Sequence, residues 1–556
     1  PNGTEIEFDG IDQDCDGSDD VDGDDDGFDH IDHGGDDCDD TDASVNPDAL
    51  DFMNDGDDTD CDGEDGGTFY LADANVSIKG AAGVLLGYTV NACDLDDDGL
   101  DDLVVSAPFG ASYAGQIGIF LGSGSSTWSA GMQLSDADVL ITGGSYEFFG
   151  FQTVCTDLDG DGVDDLVTEL GEIQYSVYIN DFALAVFYGG STAWTATMTT
   201  LNADAMLNFP MGGPNQGTVF SAPLETGDLD ADGQNDLVIN AGHSLLSVFD
   251  GEERVLVVLG DSWSGNHDMD DLIVSSIAPP QSNQYSTTQV LQDMDGDGYA
   301  DLFVGSSGWS SNYGDYDTAA AATDSSYSFD FSSEGQAHFL GDAHAAGAVE
   351  LETLDYANQV GQYDHQAYGW HAIEGDFDGD GTQDLIVAMS GADEDSETAI
   401  QGAGGFYLFS NPGADLTGAD LDPTATADSW GHGDLSYGYF GWQLHSVGDP
   451  NGDGYDDVLV SEPCLPYTDE FQVSQVSCYG RVYLVSGRDL SGEVDNFEDV
   501  ALLRWESDQE TATTGSSLAV GDFDGDGVMD YVISEYNHGA STTLDGRVSV
   551  SLSTAW

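Results

Sequence analysis

Of the 556 residues, 108 are Asp or Glu and only six are Lys or Arg, a formal charge of −102 at pH 7. Ion pairs between side chains cannot balance such a field, so strong salt screening or bound cations must, and nucleic acid and anionic membranes are poor partners for it. Hydrophobic residues make up 40% and aromatic residues 10%, which excludes a wholly disordered chain, and no apolar run approaches the roughly 20 residues of a membrane helix.

Glycine, at 73 residues, is well above its usual share of roughly 7%. Together with the Asp and aromatic content it suggests many short strands joined by tight turns. The seven cysteines are Cys15, Cys38, Cys61, Cys93, Cys155, Cys464 and Cys478. They form no C-x-x-C pairs and lie among Asp rather than His, which argues against zinc and for disulfides in an oxidising compartment. The expected location is extracellular or at a cell surface, in a bacterial, high-salt or calcium-rich setting.

Residues 1–66 hold 28 acidic residues and no Lys or Arg. The composition reads as a disordered tail; the pattern does not. PNGTEIEFDGIDQDCDG (1–17) aligns without gaps to PDALDFMNDGDDTDCDG (47–63), an offset of 46 residues. Asp12, Asp14, Asp16 and Asp20 have the spacing of a nine-residue cation loop, with Ser18 at the position that would offer its carbonyl. Further candidate ligands are Asp22, Asp24, Asp26 and Phe28 (through its carbonyl), then Asp37, Asp39 and Asp42, then Asp58, Asp60 and Asp62. Cys38 is expected to pair with Cys61 across the intervening loop. Cys15 corresponds to Cys61, so its partner falls upstream of Pro1; a longer polypeptide, a bond to another chain and a free thiol are the alternatives, and the first is favoured.

ANVSIKG (74–80) reads as an isolated strand resembling ADVLITG (137–143). After residue 90 the pattern D-x-D-x-D-G-x-x-D, followed by an apolar strand, occurs seven times. Its first, third, fifth and ninth positions are Asp94, Asp96, Asp98 and Asp102; Asp157, Asp159, Asp161 and Asp165; and Asp228, Asp230, Asp232 and Asp236. They continue as Asp293, Asp295, Asp297 and Asp301; Asp376, Asp378, Asp380 and Asp384; Asp449, Asn451, Asp453 and Asp457; and Asp522, Asp524, Asp526 and Asp530. Four such oxygens can converge on one point. Glycine at position six permits the sharp turn, and position seven (Leu100, Val163, Gln234, Tyr299, Thr382, Tyr455, Val528) offers a backbone carbonyl. All-oxygen ligation of this kind suits Ca²⁺ rather than Zn²⁺ or octahedral Mg²⁺. Turn-forming Asp accounts for one or two carboxylates per hairpin, not four at fixed spacing seven times over.

Each loop is preceded by an aromatic-glycine pair and a short strand, as in LGYTVNAC (86–93) and YFGWQLHSV (439–447). A strand such as LVVSAP (103–108) follows, then one opening on glycine such as GRVYLVSG (480–487), then a weaker fourth. Repeats of four short strands predict an all-β, seven-bladed β-propeller with four-stranded blades. The 74–80 strand is expected to supply the missing fourth strand of blade seven. The repeats resemble the FG-GAP repeats of integrin α-subunit propellers, over about residues 68–556. The 1–66 segment resembles MopE-type metal-binding repeats, which are similar to thrombospondin type-3 repeats. The resemblance implies an irregular, calcium-organised stalk (1–66), a propeller (67–556) and calcium in the hairpin between the first two strands of each blade. Seven ions in the propeller and several in the stalk are expected.

No nucleophile motif or metal-spaced His pair is present, and His338, His344, His365 and His371 read as surface or satisfied side chains. Lys79 falls on the closing strand, and most Arg residues begin third strands. The reading is therefore a non-enzymatic adhesion or assembly module whose partner is a protein or polysaccharide at a cell surface, or another copy of itself, with no membrane span. The alternative is a calcium-dependent lectin or polysaccharide-degrading enzyme. Partner binding is expected on the irregular loops 305–334 and 462–479, the latter closed by Cys464–Cys478. For Cys93 and Cys155 a disulfide and two buried thiols remain open.

Overall fold

The computed structural model describes most of residues 68–552 and short pieces between 28 and 61. The larger breaks fall at 174–178, 210–223, 242–253, 279–285, 293–298, 312–328, 341–346, 361–367, 391–402, 413–417, 422–426, 465–477 and 540–544.

The described strands build seven five-stranded sheets and one two-stranded ribbon. In the first sheet, Val90–Cys93, Asp102–Ala107, Gln116–Phe120 and Val139–Thr142 run antiparallel in chain order. The second strand of the unit is buried along its whole length at Asp102–Ala107, Asp384–Met389, Asp457–Glu462 and Asp530–Glu535. A sheet covered on both faces needs such unbroken apolar runs. Further out, Ala501–Glu506 alternates buried and half-buried residues, as a strand near the periphery should. Neighbouring sheets touch in cyclic order, the first six through their innermost strands; Thr514–Gly521 of the last packs on Asp457–Glu462 of the sixth and returns to Val90–Cys93 of the first. This is a β-propeller.

The ring is closed by Val76–Lys79, which pairs antiparallel with Arg547–Ser551 (Val76 opposite Val550, Lys79 opposite Arg547). Val76 and Ile78 are buried with Val548 and Val550 in one apolar cluster, so the chain's two ends are joined by packing as well as by a ladder.

Four-stranded blades were expected; the sheets have five strands. The fifth is always parallel; in six sheets it comes from the connection between the third and fourth strands of the next unit, and in the sheet of Ala501–Glu506 from the segment just before the closing strand. Thr197–Thr199 lies along Val139–Thr142, Gly265–Asp268 along Ala205–Phe209, and Thr68–Tyr70 along Ala501–Glu506. These pieces satisfy the outer edge that each sheet would otherwise expose. A tryptophan precedes three of them and packs on the loop end of the sheet before. The Trp128 ring lies 5.6 Å from that of Phe523, Trp194 Nε1 donates to the Leu95 carbonyl at 2.7 Å, and Trp263 shares an apolar cluster with Leu158.

Among the described residues three disulfides are formed, Cys38–Cys61, Cys93–Cys155 and Cys464–Cys478, with Cα separations of 5.5, 6.0 and 6.1 Å. The second stitches the innermost strands of the first two sheets together and resolves the open alternative. Within the expected irregular loop at 305–334, Trp309–Ser311 and Phe329–Phe331 form a short antiparallel ribbon.

Candidate metal centres

Each described D-x-D-x-D-G-x-x-D segment is the hairpin between the first and second strands of its sheet, so the loops share one end of the ring. Their internal bonding repeats. The first Asp accepts the amide of the position-six glycine: Gly99, Gly162, Gly233, Gly381, Gly454 and Gly527 each donate to their loop's first carboxylate at 2.8–3.0 Å. The fifth accepts the amide of position seven, as Asp98 does from Leu100 at 2.9 Å and Asp526 from Val528 at 2.8 Å. These six glycines have φ near +90°, the left-handed region that glycine enters freely.

Position four is also left-handed, which the motif did not announce. Gly160, Gly379, Gly452 and Gly525 stand there, but so do Asp97 (φ 62°) and Ala231 (φ 58°). A left-handed residue with a Cβ is strained by about 1–2 kcal/mol. Ala231→Gly is therefore expected to raise stability by about 1 kcal/mol, read by denaturant unfolding in excess calcium; a loss of stability would count against the geometry.

The ninth Asp has a second task beyond the expected one. Asp102, Asp165 and Asp236 are buried. One oxygen of each accepts the amide of position two, from Leu95, Leu158 or Leu229 at 2.9–3.0 Å. The other accepts from the end of the third strand, from Gly122, Gly189 or Gly260 at 2.8–2.9 Å. It thus ties the loop to the sheet.

Carboxylate oxygens of Asp94, Asp96 and Asp98 lie within 4.8 Å of one another, and so do those of Asp157, Asp159 and Asp165; Asp228, Asp230 and Asp232; and Asp376, Asp378 and Asp384. Asp96 Oδ1 and Asp376 Oδ1 are buried without a hydrogen-bond partner. Converging anionic oxygens with buried oxygens left over fit a hard divalent cation. The sixth loop departs from the pattern. Asn451 replaces one carboxylate, and Asp453 Oδ2 accepts from Ser486 at 2.9 Å and faces Arg488 Nη1 at 3.6 Å.

Asp293, Asp295 and Asp297 lie outside the described residues, as do Asp12 to Asp26, Asp60 and Asp62. In the tail, Asp37 is buried beside the Cys38–Cys61 bond, and its Oδ1 accepts the Asp39 amide at 2.9 Å. His344 and His365 also fall outside the described residues. His371 stands 3.3 Å from Gln289 Nε2 and is held down to about 3 by burial and by neighbouring His445, so it is a neutral interior imidazole.

Burial raises the ninth-position carboxyls, to about 7 for Asp102 and Asp165, about 6 for Asp236 and about 8 for Asp457, with other loop carboxylates adding to the effect. A raised folded-state value means the fold binds the proton more tightly than the unfolded chain does. The contribution is complete below the ordinary carboxyl range, near pH 4, and is lost as pH rises through 6–8. The cation-free protein should therefore melt at lower temperature at pH 8 than at pH 5, while cation affinity rises over the same interval. Melting curves across that range check both, in chelator for the first and at graded calcium for the second.

Fold and loops together define a β-propeller built on repeats with acidic, cation-shaped hairpins. Residues 86–120 match the profile of the FG-GAP repeat, and residues 1–20 and 37–65 match that of the MopE "putative metal-binding motif". The chain is 29% identical over 233 residues to integrin alpha-5 of Xenopus laevis, covering 40% of this chain and 20% of that one. It is 24% identical over 393 residues to the phosphatidylinositol-glycan-specific phospholipase D of Dictyostelium discoideum, covering 68% and 38%. The mouse phospholipase D of the same name is 33% identical over 120 residues, covering 21% and 13%. The chain thus spans well under half the length of these relatives. A crystal structure of rhamnogalacturonan lyase YesW overlaps 68% of this chain and 64% of its own at 13% identity, with a TM-score of 0.27, too low to transfer anything.

Proposed function

We propose that this is a secreted or cell-surface adhesion and assembly module: an adhesin, surface-layer component or extracellular filament subunit. In this reading residues 67–556 are a seven-bladed propeller that holds one structural calcium in each loop. Residues 1–66 are a stalk that wraps further calcium and presents the propeller. The observation that carries the reading is the convergence of three or more carboxylates in loop after loop at one end of the ring. The disulfides and the likeness to an integrin alpha chain support an extracellular setting.

The opposite end of the ring, where second strands run into third strands, offers the docking surface. Ala111, Ser112 and Tyr113 are consecutive left-handed residues (φ 48°, 63° and 72°), a strained turn of the sort that marks functional positions. The turn presents Tyr113 parallel to Tyr146, with ring centroids 6.2 Å apart and an interplanar angle of 10°. Both rings are about half exposed (49% and 54%). Beads coated with the protein should aggregate or adhere in calcium and not in magnesium, and Tyr113→Ser with Tyr146→Ser should weaken this without altering the melting temperature. Cleavage of polysaccharide with no calcium-dependent adhesion would favour an enzyme instead.

Sugar binding is the second reading, favoured by a cleft of about 310 Å³ beside the first loop. Phe187, Tyr188, Trp194, Met198, Asn202 and Asp204 line it, combining ring faces with polar groups. Glycan-array binding lost on Trp194→Ala would support it.

A further inference from the structure

The metal loops are bonded to one another. Asp522 N donates to Asp101 Oδ2 at 2.9 Å, and Asp101 N donates back to the Asp522 carbonyl at 3.2 Å. Asp376 N donates to Asp456 Oδ2 at 2.8 Å, and Asp456 N to the Asp376 carbonyl at 3.0 Å. Asp94 N donates to Asp164 Oδ2 at 3.2 Å. In every case the eighth residue of one loop grips the first residue of the loop in the preceding sheet. The end of the next sheet's third strand adds a grip on position two: Ser123 N to the Phe523 carbonyl at 3.0 Å, and Gly190 N to the Leu95 carbonyl at 2.8 Å.

The gripped residue is the first candidate ligand. Its Oδ2 is held by the position-six glycine amide, and its Oδ1 accepts a further loop amide in two cases, from Asp98 to Asp94 at 3.1 Å and from Gly525 to Asp522 at 2.7 Å, so the grip on its backbone fixes where this whole bonded carboxylate sits. Position eight is Asp in three units and Asn235, Ala300, Gln383 or Met529 in the others. Asn235 makes the backbone half of the link, N–H to the Asp157 carbonyl at 2.9 Å. No carboxylate can be supplied by Ala300 to the Asp228 loop or by Met529 to the Asp449 loop.

We propose that Asp101, Asp164 and Asp456 are positioning residues for the cation site of the neighbouring sheet, so that the sites beginning at Asp522, Asp94 and Asp376 are completed from outside their own loops. The proposal rests on the cation reading of the loops. It makes the site at Asp522 depend on a residue 421 positions away across the closure.

Terbium can report individual sites, because a nearby indole sensitises its luminescence. Trp128 packs tilted against Phe523 in the Asp522 loop, and Trp194 bonds Leu95 in the Asp94 loop; Trp128→Phe and Trp194→Phe in the full chain assign the two signals. Asp101→Ala should weaken terbium binding at the Trp128-reported site about tenfold, the scale of one charge-assisted hydrogen bond. Asp101→Asn keeps a carbonyl acceptor and should restore most of the affinity. Asp164→Ala should weaken the Trp194-reported site and leave the Trp128-reported one within about twofold. An unchanged Trp128 signal in Asp101→Ala, an equal fall in both signals, or no rescue by Asn overturns the proposal. Absence of both signals in the unsubstituted protein overturns the cation reading with it.

Discussion

Stripping divalent cations from this protein is expected to lower its melting temperature by about 20 °C or more. A site held at 100-fold excess of calcium over its dissociation constant adds about 2.7 kcal/mol, and several such sites together match the roughly 5–15 kcal/mol of an ordinary domain. Without the cation, the Asp94, Asp96 and Asp98 oxygens remain within 4.8 Å of one another, and Asp96 is raised by burial and by those two neighbours. Magnesium should restore little, because it demands tight octahedral geometry and gives up its water reluctantly. The sixth loop, with Asn451 and the Arg488 contact, should be the weakest site. Calorimetry in chelator, then in calcium or magnesium, measures the effect; a shift below about 5 °C would show that the loops do not hold the fold.

The second large effect is expected at the ring closure. Arg547 is 2% exposed and opens the strand that receives Val76–Lys79. Its guanidinium pairs with Glu535, which is fully buried, and with Asp508 at 2.7 Å. Glu535 also accepts from Thr514 Oγ1 at 3.2 Å. Arg547→Leu strands the Glu535 carboxylate in the interior and should destabilise the protein by about 3–5 kcal/mol, whereas Arg547→Leu with Glu535→Leu should recover most of that loss. Denaturant unfolding in saturating calcium separates the two. A single variant within about 1 kcal/mol of the unsubstituted protein would mean that the closure does not depend on this pair.

The repeat made the hairpins and the closing strand legible, because four carboxylates and a glycine at fixed spacing leave little else to build. Val76–Lys79 was legible for the same reason, since it copies the fourth strand of other units. The fifth strands were not. Ala130–Gln133 is mostly exposed and carries no apolar period, and its partner Val76–Lys79 is a parallel strand some fifty residues earlier in the chain. Tryptophans 128, 194 and 263, at matching places in three units, were the available signal. Asp101, Asp164 and Asp456 escaped notice because position eight varies between units and its role lies in a different loop. The Cys93–Cys155 bond turned on the spacing between neighbouring innermost strands, which motif spacing does not set. The structure brings the two Cα atoms to 6.0 Å, within the range a disulfide spans.

Metal content tests the central claim most directly. Protein dialysed against calcium and then against metal-free buffer, and analysed by mass spectrometry of the elements, should carry calcium in every propeller loop and more in the tail, roughly nine to twelve ions per chain. Three or fewer ions per chain, or a metal other than calcium retained in preference to it, would contradict the account.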